Sequence, residues 1–275
     1  MKMLMRLLML AVAAAVLVQP AHAQPLNRDE RRAAEAMADI GALVDNGDIA
    51  EAARIVRGVV DANYFRSLRP DMQAAALQMA AGFLLDDLPA QCGEALPLSD
   101  RLIATRPELP ALQEGRWRVS LWASYLCRDN ARMRAALTGA VRESPDLLAQ
   151  LPDELVLNGA QQLTDPATLS YFTDGRWQPS DPAYDTSYLR LRAARLYLRA
   201  GDVERAREAA QGLVTGNSAG TGSLILLLTE KEFDPITQAD PQTFDFDSIM
   251  AWQFNNLQAR VAASPDSLAL QIQLA

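Results

Sequence analysis

Histidine is almost missing from this sequence, and lysine nearly so. The single His is His22, and Lys occurs only at Lys2 and Lys231. Cysteine is confined to Cys92 and Cys127, and aromatic residues make up 6% of the chain. Each scarcity removes some chemistry. A zinc shell draws on Cys and His ligands, and two Cys without a nearby His make a poor one. The Gly216-Asn217-Ser218-Ala219-Gly220 stretch has the letters of a nucleophile elbow. That device needs a strand before it, a helix after it and a His base. A helix is expected before it and no His is at hand, so a flexible loop is the better reading. A Ser–Lys pair through Lys231 lacks the Ser-x-x-Lys spacing. Walker and dinucleotide fingerprints are missing as well. No cofactor or metal is therefore expected. Net positive charge is also lacking: the formal charge is −8. An acidic chain is a poor nucleic-acid binder, because phosphate contacts dominate that affinity.

Long apolar runs are absent too, except at the start. Lys2 and Arg6 precede an unbroken apolar stretch from Leu7 to Val18, and Ala21-His22-Ala23 stands before Gln24. A positive start, an apolar core and an Ala-x-Ala site are the parts of a secretory signal peptide. A spanning helix needs about 20 apolar residues, more than this run holds. Cleavage is expected between Ala23 and Gln24, which places the mature chain in the periplasm of a Gram-negative envelope without a stable membrane span. His22 would leave with the signal. The formal charge would move from −8 to −10, since Lys2 and Arg6 go and no acid does. An oxidising compartment favours a disulfide between Cys92 and Cys127 over two free thiols or a metal site. Closing that loop contributes about 3–4 kcal/mol on chain-entropy grounds.

What the sequence has in abundance is helix formers: Ala, Leu, Arg, Glu and Gln. Asn27 with Glu30, and Asp48 with Glu51, stand at capping-box spacing. Ile49, Ala52, Ala53, Val56, Val59 and Val60 fall on one face of a helix. Pro70, Pro110, Pro145, Pro166 and Pro265 each precede an apolar periodic stretch, where a missing N–H costs nothing. Helices are predicted near 28–44, 49–63, 70–87, 90–105, 110–127, 130–143, 145–163 with a break at Pro152, 166–172, 183–200, 203–214, 222–231, 247–263 and 265–274. Leu224–Leu228 reads as a strand or a buried helix, and a lone strand would have no partner.

Two stretches match each other. Leu43-Val-Asp-Asn-Gly47-Asp48-Ile-Ala-Glu-Ala52 parallels Tyr197-Leu-Arg-Ala-Gly201-Asp202-Val-Glu-Arg-Ala206. Gly ends one helix, Asp caps the next, and Ala lets two helices approach closely. Weaker copies run from Glu94-Ala95 to Pro107 and from Cys127 to Ala135. These units resemble the tetratricopeptide repeat, a helix–turn–helix of about 34 residues. They lack that family's early Trp, and Ile40 and Ala194 stand where it often has Gly. Ala52, Ala95, Ala135 and Ala206 are 43, 40 and 71 residues apart, so the period is irregular. The resemblance implies an all-α fold: an α-solenoid of stacked antiparallel helical hairpins with an irregular C-terminal part, rather than an ordinary helical bundle. In such a stack the starts and ends carrying Cys92 and Cys127 are neighbours. The expected division is a signal peptide at 1–23, an N-terminal helical-repeat lobe at 24–143, an irregular helical or loop connection at 144–182, and a C-terminal helical-repeat lobe at 183–275.

Other clusters have bland explanations beside sharp ones. Asp45, Asp48 and Glu51 lack the twelve-residue calcium-loop spacing, and Asp234, Asp240, Asp245 and Asp247 read as solvated turn acids. Trp117, Leu121, Trp122 and Tyr125 read as one helix packing into a core. Arg190, Arg192, Arg195 and Arg199 read as a solvated face, or as a basic stripe for an acidic peptide. Trp177 with Asp174 and Asp181 is the one pattern suited to sugar chemistry, which needs two carboxylates. The resemblance implies a non-enzymatic scaffold or adaptor for an envelope protein or peptide. The competing reading is an enzyme or sugar-binding protein acting on cell-wall or exopolysaccharide chains.

Overall fold

The computed structural model describes residues 25–85, 88–211 and 213, together with 254–255, 258–259 and 261–263. Helices form all the regular structure among the described residues. They are α1 (Arg28–Met37), α2 (Ile40–Asp45), α3 (Ile49–Val60), α4 (Pro70–Leu84), α5 (Cys92–Ala104) and α6 (Pro110–Leu126), followed by α7 (Asn130–Glu143), α8 (Asp153–Gln162), α9 (Pro166–Thr173), α10 (Ser187–Arg199) and α11 (Val203–Gln211). Short 3-10 turns lie at Phe65–Ser67 and Pro145–Gln150. One compact unit ends at Tyr184 and a second begins at Asp185. The 144–182 stretch lies within the first unit and contributes α8 and α9 to it.

Local chemistry explains most helix starts. Asn27 Oδ1 accepts from the Glu30 N–H at 2.9 Å, and the Glu30 carboxylate accepts from the Asn27 N–H at 2.9 Å. Asp165 accepts from the N–H groups of Ala167 and Thr168 beside Pro166. Asp129 accepts from the Arg132 N–H at 3.0 Å. Two expectations need correction. The helix predicted over 28–44 is divided by a turn at Ala38 and Asp39. The second capping box does not form: Asp48 makes no side-chain cap bond. Arg54 instead holds Glu51 through Nε at 2.7 Å and Nη2 at 2.5 Å. A charge-assisted bidentate contact on the same helix face outcompetes a single backbone N–H.

The two matching stretches close in the same way. Gly47 and Gly201 take φ of 84° and 77°. The Asp48 N–H reaches Leu43 O at 2.8 Å, and the Asp202 N–H reaches Tyr197 O at 2.9 Å. This is the six-to-one bond of a Schellman cap. A third copy lies at Ser124–Asp129, where the Asp129 N–H reaches Ser124 O at 2.9 Å and Arg128 occupies the left-handed position at φ 55°. Aligning the three turns puts Met133, not Ala135, beside Ala52 and Ala206. Ala135 is exposed, whereas Met133, Ala52 and Ala206 are buried. The small residue that Met133 displaces reappears across the seam. A Cβ on Gly159 of α8 would fall 2.9 Å from Met133 Cε.

Each helix from α3 to α7 packs on the next, and α4 also meets α6, as α6 meets α8. The α5–α6 pair is antiparallel in strict register. Cys92 pairs with Cys127, Ser99 Oγ donates to Ser120 Oγ at 2.8 Å, and Arg116 Nη1 donates to Ile103 O at 3.4 Å. Each step forward on α5 is matched by an equal step back on α6. The α4–α6 pair is parallel. Asp71 accepts from the Glu108 N–H at 2.7 Å, and Gln78 lies against Gly115, the same interval further along both segments. Glycine makes these approaches possible. On α6, Gly115 leaves room for the Gln78 amide. On α7, Gly139 leaves room for the Trp117 ring, which a Cβ would overlap. Residues 74–81 of α4 are buried around the full circumference, as an apolar helix in the middle of a stack requires.

The second unit, within its described residues, is a helix pair. α10 and α11 pack through Ala194 and Ala210, flanked by Leu191, Leu198 and Ala209.

Candidate functional site

An open cleft of about 840 Å³ lies in the first unit, where the end of α3, the Phe65–Ser67 turn, α4 and the last turn of α5 meet. Apolar side chains come from the packed helices: Val60, Phe65 and Leu77 line it and are buried. Arg66 and Arg101 line it as well, and both are exposed. Arg101 stacks its guanidinium over the Phe65 ring at 5.1 Å and donates through Nη2 to Val60 O at 3.2 Å. Among the described residues neither Arg66 nor Arg101 has a carboxylate partner, in contrast to Arg57, Arg69, Arg116 and Arg132. The acid in the lining, Asp61, is held by Arg57 Nε at 3.0 Å. Gln73 is also occupied, since its Nε2 donates to Leu68 O at 2.6 Å. What remains free is therefore the neutral amide of Asn63 and the two cations.

A buried arginine braces one wall. Arg116 is 3% exposed and donates through Nη1 to Thr105 O at 2.7 Å, while Thr105 lines the cleft. Its Nη2 pairs with Glu143, which Arg142 also contacts at 2.6 Å and Arg106 at 3.6 Å. Burial pushes the Arg116 guanidinium pKa down, and Glu143 works against that. Partial burial pulls the Glu143 carboxyl up, but the hydrogen bond from Arg142 and the charges of its Arg neighbours outweigh it, so its pKa lies below the ordinary value.

The residues singled out from the sequence fall elsewhere. Trp117, Leu121 and Trp122 are buried in the α6 core, with Tyr125 half-buried and donating to Glu154 at 2.8 Å. Trp177 is 5% exposed and packs edge-on against Phe172, so its face is not open to a ligand. Asp174 pairs with Arg176 at 3.3 Å, and Asp181 accepts from the Ala183 N–H at 2.8 Å. The loop holding Trp177 is tied down by Asp153. Its carboxylate accepts from Ser180 N–H and Oγ and from Asp181 N–H at 2.7–3.0 Å. Arg195 and Arg199 are exposed and Arg190 and Arg192 half-buried. Cys92 and Cys127 form a disulfide. No group of three or more His, Cys, Asp or Glu among the described residues is placed to hold a metal. No described helix is long and apolar enough to cross a membrane. Ala23, Gln24, residues 216–220, Leu224–Leu228, Lys231 and the acids at 234, 240, 245 and 247 lie outside the described residues.

Sequence reasoning passed over Phe65, Arg66 and Arg101. The Tyr64-Phe65-Arg66 triplet after an amphipathic helix is a visible signal. Its partner Arg101 is far along the chain. No family model, curated protein or solved structure matches this chain.

Proposed function

We propose that the mature chain is a non-enzymatic scaffold or adaptor of the bacterial periplasm, built as a tetratricopeptide-like stack of helical hairpins that binds an envelope protein or peptide. The observation that supports it best is register. α4 and α6 run parallel, with contacts at Asp71–Glu108 and Gln78–Gly115, while α5 runs antiparallel beside α6. That is how successive hairpins of one repeat family stack, and such stacks present extended binding surfaces. The Schellman turns shared by Leu43–Asp48, Ser124–Asp129 and Tyr197–Asp202 add to the reading. Export rests on the N-terminal residues alone. The sugar-acting alternative loses its main support in the burial of Trp177.

The test is capture of partners from envelope extract under mild crosslinking, with the oxidised, mature chain as bait. Specific recovery of a protein supports the scaffold reading. Recovery of glycans and no protein would overturn it.

A further inference from the structure

We infer that the cleft between α3, α4 and α5 is a peptide-docking site for an acidic segment, one that sets a carboxylate beside a bulky apolar side chain. The inference deepens the scaffold reading and rests on it. Charge complementarity selects the occupant. The chain as a whole is acidic, at −8. Yet this cleft carries two exposed guanidinium groups, Arg66 and Arg101, without an ion-pair partner among the described residues. The acid of its lining, Asp61, is taken by Arg57. An uncommitted carboxylate is therefore the group that the cleft lacks.

Pre-organisation argues the same way. Arg101 is held over the Phe65 face and by Val60 O. A planar guanidinium fixed on an aromatic ring keeps its remaining N–H donors directed outward and loses little entropy on binding. Beside it, half-buried Ala62 and exposed Ala104 offer an apolar patch over a floor of Val60, Phe65 and Leu77. The α5 wall is braced behind Thr105 by Arg116. The cleft is open to solvent, so a small anion would leave the apolar patch wet, whereas a peptide covers both features. Arg is among the residues that carry most of the energy in protein interfaces.

The experiment selects from a random dodecapeptide library displayed on phage, with the oxidised, mature, full-length chain as bait. Arg66→Glu, Arg101→Glu and the double variant are compared with the parent. Arg66 makes no side-chain bond among those described, so R66E tests recognition without loosening the fold; circular dichroism checks R101E. The expected result is a consensus pairing Asp or Glu with Leu, Ile, Phe or Trp. Affinity measured with a fluorescein-labelled consensus peptide should fall about tenfold in R66E and more in the double variant. It should also weaken as salt rises, as an exposed ion pair must. A consensus without acids, binding that R66E leaves unchanged, or no enriched peptide would each overturn the site. None of these touches the scaffold reading, which fails only if crosslinking capture returns no protein.

Discussion

The two seams of α6 are built on different principles. On the α5 side the contacts are polar and covalent: the Cys92–Cys127 bridge, the buried Ser99–Ser120 hydrogen bond and the Arg116 contacts to α5 carbonyls. On the α7 side the contact is mostly shape. The Trp117 ring lies over Gly139, and only at the far end does Arg116 reach Glu143. The difference teaches where each seam is vulnerable. A polar seam tolerates gaps but needs each partner present. A close-packed seam needs volume to match, since interiors have little room to adjust.

Breaking the α7 side should cost most. Trp117→Ala removes a large buried ring and leaves a cavity above Gly139, a loss of about 4 kcal/mol in urea unfolding. A loss under 1 kcal/mol would mean the ring contributes little to the seam. Cys92→Ser with Cys127→Ser opens the α5 side, with an expected loss of about 3 kcal/mol. Reduction of the parent with dithiothreitol should reproduce the same midpoint shift. The third test sharpens the contrast through pH. Glu143→Gln strips Arg116 of its carboxylate while leaving Gly139 and Trp117 in place, and should cost about 1 kcal/mol at neutral pH, since the pair is partly exposed. The folded-state pKa of Glu143 lies below its unfolded value, so the stabilisation is full above the ordinary carboxylate range. It disappears as pH falls through the folded value. The difference between parent and E143Q should therefore shrink toward zero in acid. A constant difference down to pH 3 would place the effect in packing instead.

Beside the seams stands Asp153, whose carboxylate ties down the 177–181 loop. Partial burial raises its pKa, and the bonds from Ser180 and Asp181 more than reverse that, so it lies below the ordinary value. Asp153→Asn should give the smallest effect of all, a fraction of 1 kcal/mol at neutral pH by comparison with other exposed polar contacts. Hydrogen exchange at Ser180 and Asp181 should report it, with faster exchange in the variant.

Much of the helix pattern was legible because its causes are local. Pro70, Pro110, Pro145 and Pro166 all open helical turns, and Asn27 and Asp165 cap helices within a few residues of themselves. The Asp48 box failed for a reason equally local but unseen: Arg54 lies one turn beyond Glu51 and competes for it. The repeat register slipped at Ala135 because the third turn has Arg128 where Gly stands in the others. The cleft was not legible at all. Phe65 and Arg101 meet only because α5 packs beside the end of α3, and no periodicity encodes that meeting.

By itself the sequence determined that the chain is helical and where most of its helices begin. Those properties follow from composition, from caps and from spacings of three or four residues. Only the tertiary structure decided that Gly139 lies under Trp117, that Trp177 is core rather than surface, and that Arg66 and Arg101 share one cleft without a carboxylate partner among the described residues. These depend on which helix faces meet across long separations, and that is settled by complementary volume and charge in three dimensions.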